Sequence, residues 1–488
     1  MFFTSLIVVT IVAFLSLTVW WYFIFFKYKR YLKHFCVIPT QFPPLGMTSA
    51  VRNTVDLYNK MESYGKAGAK NVFVMIGPIP SLCTSDPKLI SIILKSAKHI
   101  DKPYLFQFAL KRFLENSLLI VNGDEWRQQR KLLNPALDYA NVIGNITIIN
   151  ESSDDLVKEL KEETNNESTD VSHIMDDWML KLTFESLLGD SGTEYIKKET
   201  QETIKLLMKF TIQKIISPLT YFTATYIFTR MYWQERKALK TLKCRLREII
   251  KRKKDEFHSG LASNRKPIFI DILMKLMVTN NITEEFIANQ INLMISAAFD
   301  TTATTLAFLL YNLSRFPEVQ QKAFEEVYSI LGEDIDQSIT NQQVNEMKYL
   351  DLVIQESMRL TTTVPVFGRT LNEDVDYEGN ILPKGLTVFM VPFVMHNHPD
   401  LYPEPENFIP ERFLPENLNP NRYSYTPFNA GIRNCIGKKF AILSLKIALS
   451  KLLLNYEFVN VHHKLCFSIE MMLRSKTGIR VGIRKRNY

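Results

Sequence analysis

Near the C-terminal end of this 488-residue chain, one cysteine stands in a setting suited to a thiolate. The segment reads Phe428-Asn-Ala-Gly431-Ile-Arg433-Asn-Cys435-Ile-Gly437 and runs into Lys438-Lys439-Phe440-Ala441. A cysteine just ahead of a helix start has its pKa lowered by the dipole and by free backbone N–H groups, which favours the metal-ligating thiolate. The glycines on either side let the backbone curl tightly and lie close to a flat prosthetic group. Arg433 supplies a cation for a carboxylate. Taken alone, a cysteine is most often a small buried hydrophobe, so its surroundings carry the reading.

Four other groups could support such a site. Ala297-Ala298-Phe299-Asp300-Thr301-Thr302 sets an acid beside an alcohol in an apolar stretch. A helical threonine usually bonds back to the preceding turn, but an acid–alcohol pair beside a reacting centre can also relay protons. Glu356-Ser-Met-Arg359 places a carboxylate and a guanidinium one helical turn apart on one face. Trp126-Arg-Gln-Gln-Arg130 does the same for an indole N–H and a guanidinium. His396-Asn-His398 lacks a nearby third ligand, so metal binding is not expected there.

The Phe, Gly, Arg, Cys and Gly pattern resembles the haem-binding signature of the cytochromes P-450. Five such matches at fixed spacing arise by chance roughly once in ten thousand chains of this length. The resemblance covers nearly the whole chain, with the other landmarks in the family's order. It implies the cytochrome P-450 fold, mainly α with smaller β-sheets (α+β), and a haem-thiolate monooxygenase. It implies haem b, with Cys435 as axial iron ligand and Phe428 and Gly437 in the loop that holds it. By the same resemblance Trp126, Arg130, Arg369 and Arg433 contact haem propionates, and Asp300 and Thr301 form the proton-relaying pair. Glu356 and Arg359, joined by Arg412 of Pro410-Glu411-Arg412-Phe413, then form a buried structural network.

Tyr425 to Ala441, with the Trp126 segment, looks like the fourth family of microsomal P-450s. Its best-known members hydroxylate fatty acids at or near the terminal carbon, and arthropod relatives also oxidise hormones and foreign compounds. The resemblance therefore implies an apolar substrate. Many members carry a glutamate esterified to the haem where this chain has Ala297, so haem here is expected to be held without that ester. Ala298 replaces a common glycine, and Thr361-Thr362-Thr363 replaces the usual Tyr-Pro and a further residue. Two other readings compete: a haem-thiolate isomerase or dehydratase, and a non-catalytic haem binder.

The chain has no P-loop and no dinucleotide fingerprint, so electrons must come from a separate protein. The resemblance makes that an NADPH-dependent P-450 reductase, with cytochrome b5 as a further partner. Lys438, Lys439, Arg127 and Lys131 form a candidate docking face.

The elements that must position these groups can be read in outline. A composition of 46% hydrophobic and 23% charged residues is that of a globular protein. Thr283, with Glu284 and Glu285 behind it, predicts the cap of a long helix of roughly 32 residues ending before Pro317. A second helix is expected over 343–360 and a third over 437–454. Strands are expected at 72–76 and 81–84. The aromatic stretch 215–233 suits either core or a surface dipping into a membrane.

Residues 1–26 are an apolar run of about 25 residues, roughly 37 Å as a helix and long enough to span a bilayer. Trp20, Trp21 and Tyr22 resemble an interfacial belt, and Lys27, Lys29, Arg30 and Lys33 put the remainder in the cytosol. The expected organisation is an anchor (1–26), a basic, proline-rich linker (27–46) and a monooxygenase domain (47–488). With the resemblance, this implies a single-pass protein of the endoplasmic reticulum membrane. Five scattered cysteines form no disulfide or zinc pattern. The net charge of +8, spread over this length, suggests an anionic membrane and an acidic partner rather than nucleic acid.

Overall fold

The computed structural model describes residues 2–31, 35–38, 45–189, 194–221, 223–259, 267–280, 282–334 and 336–487. Lys33 and the Phe42-Pro43-Pro44 turn of the expected linker lie outside them. Most elements are helical, with small sheets, as the sequence implied.

Thr283 caps the long helix: its side chain accepts a hydrogen bond from the Phe286 N–H at 3.1 Å. The helix spans Glu284–Arg315 and contains 32 residues. It is apolar and long enough to cross a membrane, yet 83% of its apolar window is buried by other elements. It is therefore the central rod of the protein core, packed chiefly against helix Val171–Leu188. Phe299, Leu306 and Phe308 are completely enclosed, and such side chains contribute roughly 1.5–3 kcal/mol each.

The expected second helix is two. Asn341–Glu346 is capped by Thr340 in a reciprocal capping box with Gln343. The chain then breaks at Met347, and Lys348–Leu360 begins. The break is tertiary in origin. The Met347 carbonyl accepts from Lys446 Nζ at 2.9 Å, while the Glu326 carboxylate accepts from the N–H groups of Tyr349 and Leu350 and caps the new helix. The third helix spans Lys438–Asn455.

The main sheet has five strands in the order Cys36–Val37, Asn71–Ile76, Ile79–Thr84, Thr387–Met390 and Phe367–Thr370. Its first hairpin turns at Gly77, and strand Ile79–Thr84 runs parallel to Thr387–Met390. This brings Phe367 to Arg369, far along the chain, beside the N-terminal hairpin.

The N-terminal helix spans Phe2–Tyr31. Trp20 and Tyr22 are exposed, as a belt requires, but Trp21 is not. Its indole N–H donates to the Gly77 carbonyl at 2.9 Å, its ring stacks on Phe25, and it belongs to the buried cluster that holds Phe73, Met75 and Leu382. The last turns of the helix thus dock on the sheet, whereas Val8, Ile11, Val12 and Leu15 are exposed. The 215–233 stretch is partly core and partly exposed surface. Ile215 and Ile216 pack inward and Tyr226 is buried, while Leu219, Phe228 and Trp233 are exposed.

Candidate active site

The cysteine loop is closed by one backbone bond, from the Cys435 N–H to the Phe428 carbonyl at 2.9 Å. At Gly431 the backbone takes φ +70°, and an added Cβ would lie 2.1 Å from the Leu94 carbonyl oxygen. Only glycine fits this turn. Cys435 opens onto a cavity that offers about 350 Å³ to the centre of a water molecule. The thiol is subject to opposing influences. Enclosure by protein raises its pKa, and this outweighs the lowering by the Gly437 and Lys438 backbone N–H groups and by the Arg130 and Lys438 charges. The helix-start effect expected from sequence is present but is not the larger one.

The cavity wall is cationic on one side. Lys102, Arg130 and Arg433 line it together with Trp126 and Phe428, and no carboxylate among the described residues does. Arg433 lies with its guanidinium carbon 4.9 Å from the Trp126 ring centre and donates to the carbonyls of Ile100 and Val121 at 2.7 and 2.9 Å. Arg130 donates to the Asn434 carbonyl and side chain at 3.0 and 3.1 Å. Burial, then repulsion from Arg369 and Arg433, holds Lys102 well below its ordinary pKa. Burial, then repulsion from Arg369, lowers Arg433 to about 9. Arg369 is buried beside the wall, donating to the Gly368 carbonyl at 2.9 Å and to the Asn429 side chain at 3.4 Å, and burial lowers its pKa to about 10. Asp101 offsets part of this repulsion at Arg433, and mutually repelling cations along a wall with no carboxylate among its described residues suit an anionic ligand.

Across the cavity, the long helix presents Ala297, Ala298 and Thr301. The Thr301 hydroxyl donates to the Ala297 carbonyl at 2.8 Å. Asp300 does not share that face. It is 2% exposed, and its carboxylate is paired with Arg474, which also lies 3.8 Å from Asp176. The acid and the alcohol are adjacent in sequence but occupy different sides of the helix.

The sequence profile described as Cytochrome P450 matches residues 38–479. The chain belongs to the cytochrome P450 family. It is 29% identical over 435 residues to "Cytochrome P450 4V2" of Homo sapiens, covering 84% of this chain and 82% of that one. It is 30% identical over 432 residues to "Cytochrome P450 4c21" of Blattella germanica (84% and 85% covered). To "Cytochrome P450 4d1" of Drosophila melanogaster it is 27% identical over 463 residues (88% and 88% covered). These relatives carry family 4 designations, as the sequence resemblance implied. The protein is thus a cytochrome P450 monooxygenase, and its cofactor is haem.

The residues present fit a haem. A thiol opens onto the cavity, and the cations that line it, with no described carboxylate among the lining residues, suit a dianionic group. At Gly437 an added Cβ would meet no protein atom within 4 Å, so the P450 fold leaves open space where a flat group would pass.

Behind the site, Glu356 and Arg359 are fully buried and joined at 2.7 and 2.8 Å. Arg359 also donates to the carbonyls of His396, Pro405 and Asn407. Arg412 approaches Glu356 at 3.4 Å and donates to the Glu404 carbonyl at 2.8 Å. The one carboxylate is shared by two guanidiniums, with Arg359 held bidentately and Arg412 Nε near it but not hydrogen-bonded. His396, set aside as a metal ligand, ties this network to the cysteine loop. Its Nε2 accepts from the Thr426 N–H at 3.0 Å, which leaves Nδ1 to donate to the Thr362 hydroxyl at 2.9 Å. No cluster of potential metal ligands occurs among the described residues.

Sequence reasoning missed Lys102, Arg474 and His396 as site-supporting residues. Lys102 precedes a proline with no motif around it, and Arg474 sits in a short C-terminal strand. Their functions depend on contacts with distant segments. Asn312 of the long helix is buried and donates to the Ser357 and Thr361 hydroxyls, tying that helix to Lys348–Leu360.

Proposed function

We propose that this P450 inserts one oxygen atom from O2 into an apolar substrate, a fatty acid, hormone-like lipid or foreign compound, using electrons from an NADPH-dependent reductase. The observation that carries the reading is a cysteine open to an apolar cavity whose charged residues, among those described, are all cationic. Haem held through the Cys435 sulfur would supply oxygen activation, with thiolate electron density favouring O–O cleavage. The net change is RH + O2 + two electrons + two protons to ROH + water.

The chain's own residues divide the remaining work. Arg130, Arg433 and Lys102 hold the propionates, with Trp126 packed against Arg433 and Arg369 adding positive field from beside the wall. Phe428 and Gly437 shape the loop around the flat group. Ala297 offers a methyl where an ester would need a carboxylate, so the long helix holds haem by contact alone. The apolar lining excludes water and receives the substrate. Thr301 holds a proton at its Oγ1, and Asp300 resupplies it from behind the helix when its pairing with Arg474 loosens. Glu356, Arg359 and Arg412 keep the cysteine loop in register.

In the same reading residues 1–26 anchor the protein in the endoplasmic reticulum membrane, with residues 27–46 as linker and 47–488 as the cytosolic domain. Helix residues 2–20, ahead of the docked Trp21, span about 28 Å, close to the roughly 30 Å of a hydrocarbon core. Lys438, Lys439, Arg127 and Lys131 are exposed beside the cysteine loop and suit an acidic electron donor, the reductase or cytochrome b5.

The test is NADPH consumption by purified full-length protein with purified reductase across a panel of apolar compounds. Substrate-dependent consumption matched by hydroxylated product is expected. Peroxide rearrangement without reductase would favour an isomerase instead.

A further inference from the structure

The three consecutive threonines that replace the family's usual Tyr-Pro segment do not share one environment. The Thr361 hydroxyl donates to the Ser357 carbonyl and accepts from Asn312. The Thr362 hydroxyl is held between the helix carbonyls of Met358 and Arg359 and the His396 ring. Both are buried and committed to the fold. Thr363 differs: it lines the cavity, and its hydroxyl lies 2.8 Å from that of Thr305, which lines it too.

The directions of these bonds follow from counting protons. A hydroxyl has one proton and two lone pairs. Thr305 donates its proton to the Thr301 carbonyl, one turn back, at 2.8 Å. The arrangement that keeps both bonds therefore has Thr363 donating and Thr305 accepting. Thr363 Oγ1 keeps lone pairs that no donor among the described residues meets. The Leu473 N–H fixes the Thr363 carbonyl at 2.8 Å, which holds the residue in place. Val364, Val366, Met471 and Met472, which line the same cavity, have apolar side chains. A polar acceptor on an apolar wall favours a ligand that brings a donor.

We propose that Thr363, oriented by Thr305, is a substrate-positioning subsite that accepts a hydrogen bond from a hydroxyl on an otherwise apolar, neutral lipid. The subsite lies one helical turn past Thr301, so it positions the ligand by a group distinct from the carbon to be oxidised. This deepens the monooxygenase reading and rests on it.

A matched pair of probes tests the proposal: 1-dodecanol, which can donate, and its methyl ether, which cannot. Equilibrium dialysis with the full-length protein measures binding independently of turnover. The carbon monoxide difference spectrum of each variant reports separately on the thiolate haem. Wild type is expected to bind the alcohol about tenfold tighter than the ether. Thr363→Ser should keep that preference and Thr363→Val should abolish it. Thr305→Val frees the Thr363 proton to donate, so the ether should gain on the alcohol. Equal binding of both probes by wild type, or a preference that survives Thr363→Val, would overturn the subsite. Loss of preference in a variant with an unchanged carbon monoxide spectrum supports it. A wild type that prefers the alcohol but lacks a thiolate spectrum would sink the oxygenase reading while leaving the subsite standing.

Discussion

The guanidinium of Arg474 holds the carboxylate of Asp300 away from the cavity, although Asp300 directly precedes the cavity-lining Thr301. Neighbours on an α-helix point about 100° apart, so one long helix can offer the alcohol to the cavity while burying the acid in an ion pair. Asp176 and Lys205 extend the pairing, with Lys205 2.8 Å from Asp176. Removing Arg474 leaves Asp300 a buried charge without its partner. Arg474→Ala should therefore lower stability by about 3–5 kcal/mol, and Arg474→Lys by less. Thermal or denaturant melts measure both, and equal losses would mean that packing rather than charge dominates.

His396 gives the fold a specific weakness in acid. Burial, then the Arg359 charge, lowers its pKa from 6.5 to about 3, so the folded protein keeps the ring neutral. On unfolding it titrates near 6.5. Its contribution is thus fully present above that pH and is lost as pH falls toward 3. Between pH 7 and pH 5 the loss should be roughly 2 kcal/mol. His396→Gln, which can still accept from Thr426 and donate to Thr362, should flatten this slope in melts across that range.

Two glycines of the cysteine loop should respond differently to alanine. Gly431→Ala drives a methyl into the Leu94 carbonyl at a positive φ and should disrupt the loop in the protein itself, lowering the melting temperature of the haem-free form. Gly437→Ala meets open space, so it should leave haem-free stability within about 0.5 kcal/mol. It should instead weaken haem retention, read by haem transfer to an acceptor protein. Similar melting and haem loss in both variants would contradict the distinction.

Truncation should separate the two roles of the N-terminal helix. Removing residues 1–20 takes away exposed apolar surface and should release the protein from membranes with its melting temperature unchanged. Removing residues 1–26 also removes Trp21 and Phe25 from the sheet. Loss of a buried Trp side chain costs about 3–5 kcal/mol, so the longer deletion should melt lower and bind a hydrophobic dye. Identical melts would show that the docking of Trp21 contributes nothing.

Features that local chemistry specifies were legible in the sequence. The Thr283 cap, the long apolar helix and the glycine-bracketed cysteine each depend on residues within a few positions of one another. The pairing of Glu356 with Arg359 was legible for the same reason, since i and i+3 share a helix face. What was not legible depends on distant partners. The helix breaks at Met347 because Lys446 binds its carbonyl and Glu326 caps Tyr349 and Leu350, both reaching in from other helices. Trp21 looked like part of an interfacial belt, but its N–H finds the Gly77 carbonyl. The separation of Asp300 from Thr301 follows partly from helix geometry, but the choice of Asp300 as the buried member needs Arg474. Lys102 carries no local signal: its surroundings come from Arg369 and Arg433, more than two hundred residues further on.

The central claim is that Cys435 holds a haem iron as a thiolate, and the carbon monoxide difference spectrum of the dithionite-reduced protein in detergent tests it most directly. The strongly red-shifted Soret band of a thiolate complex is predicted for wild type, and its loss for Cys435→Ala. A well-folded wild type without haem, a band at the position typical of neutral-thiol or histidine ligation, or an unchanged band in Cys435→Ala would contradict it.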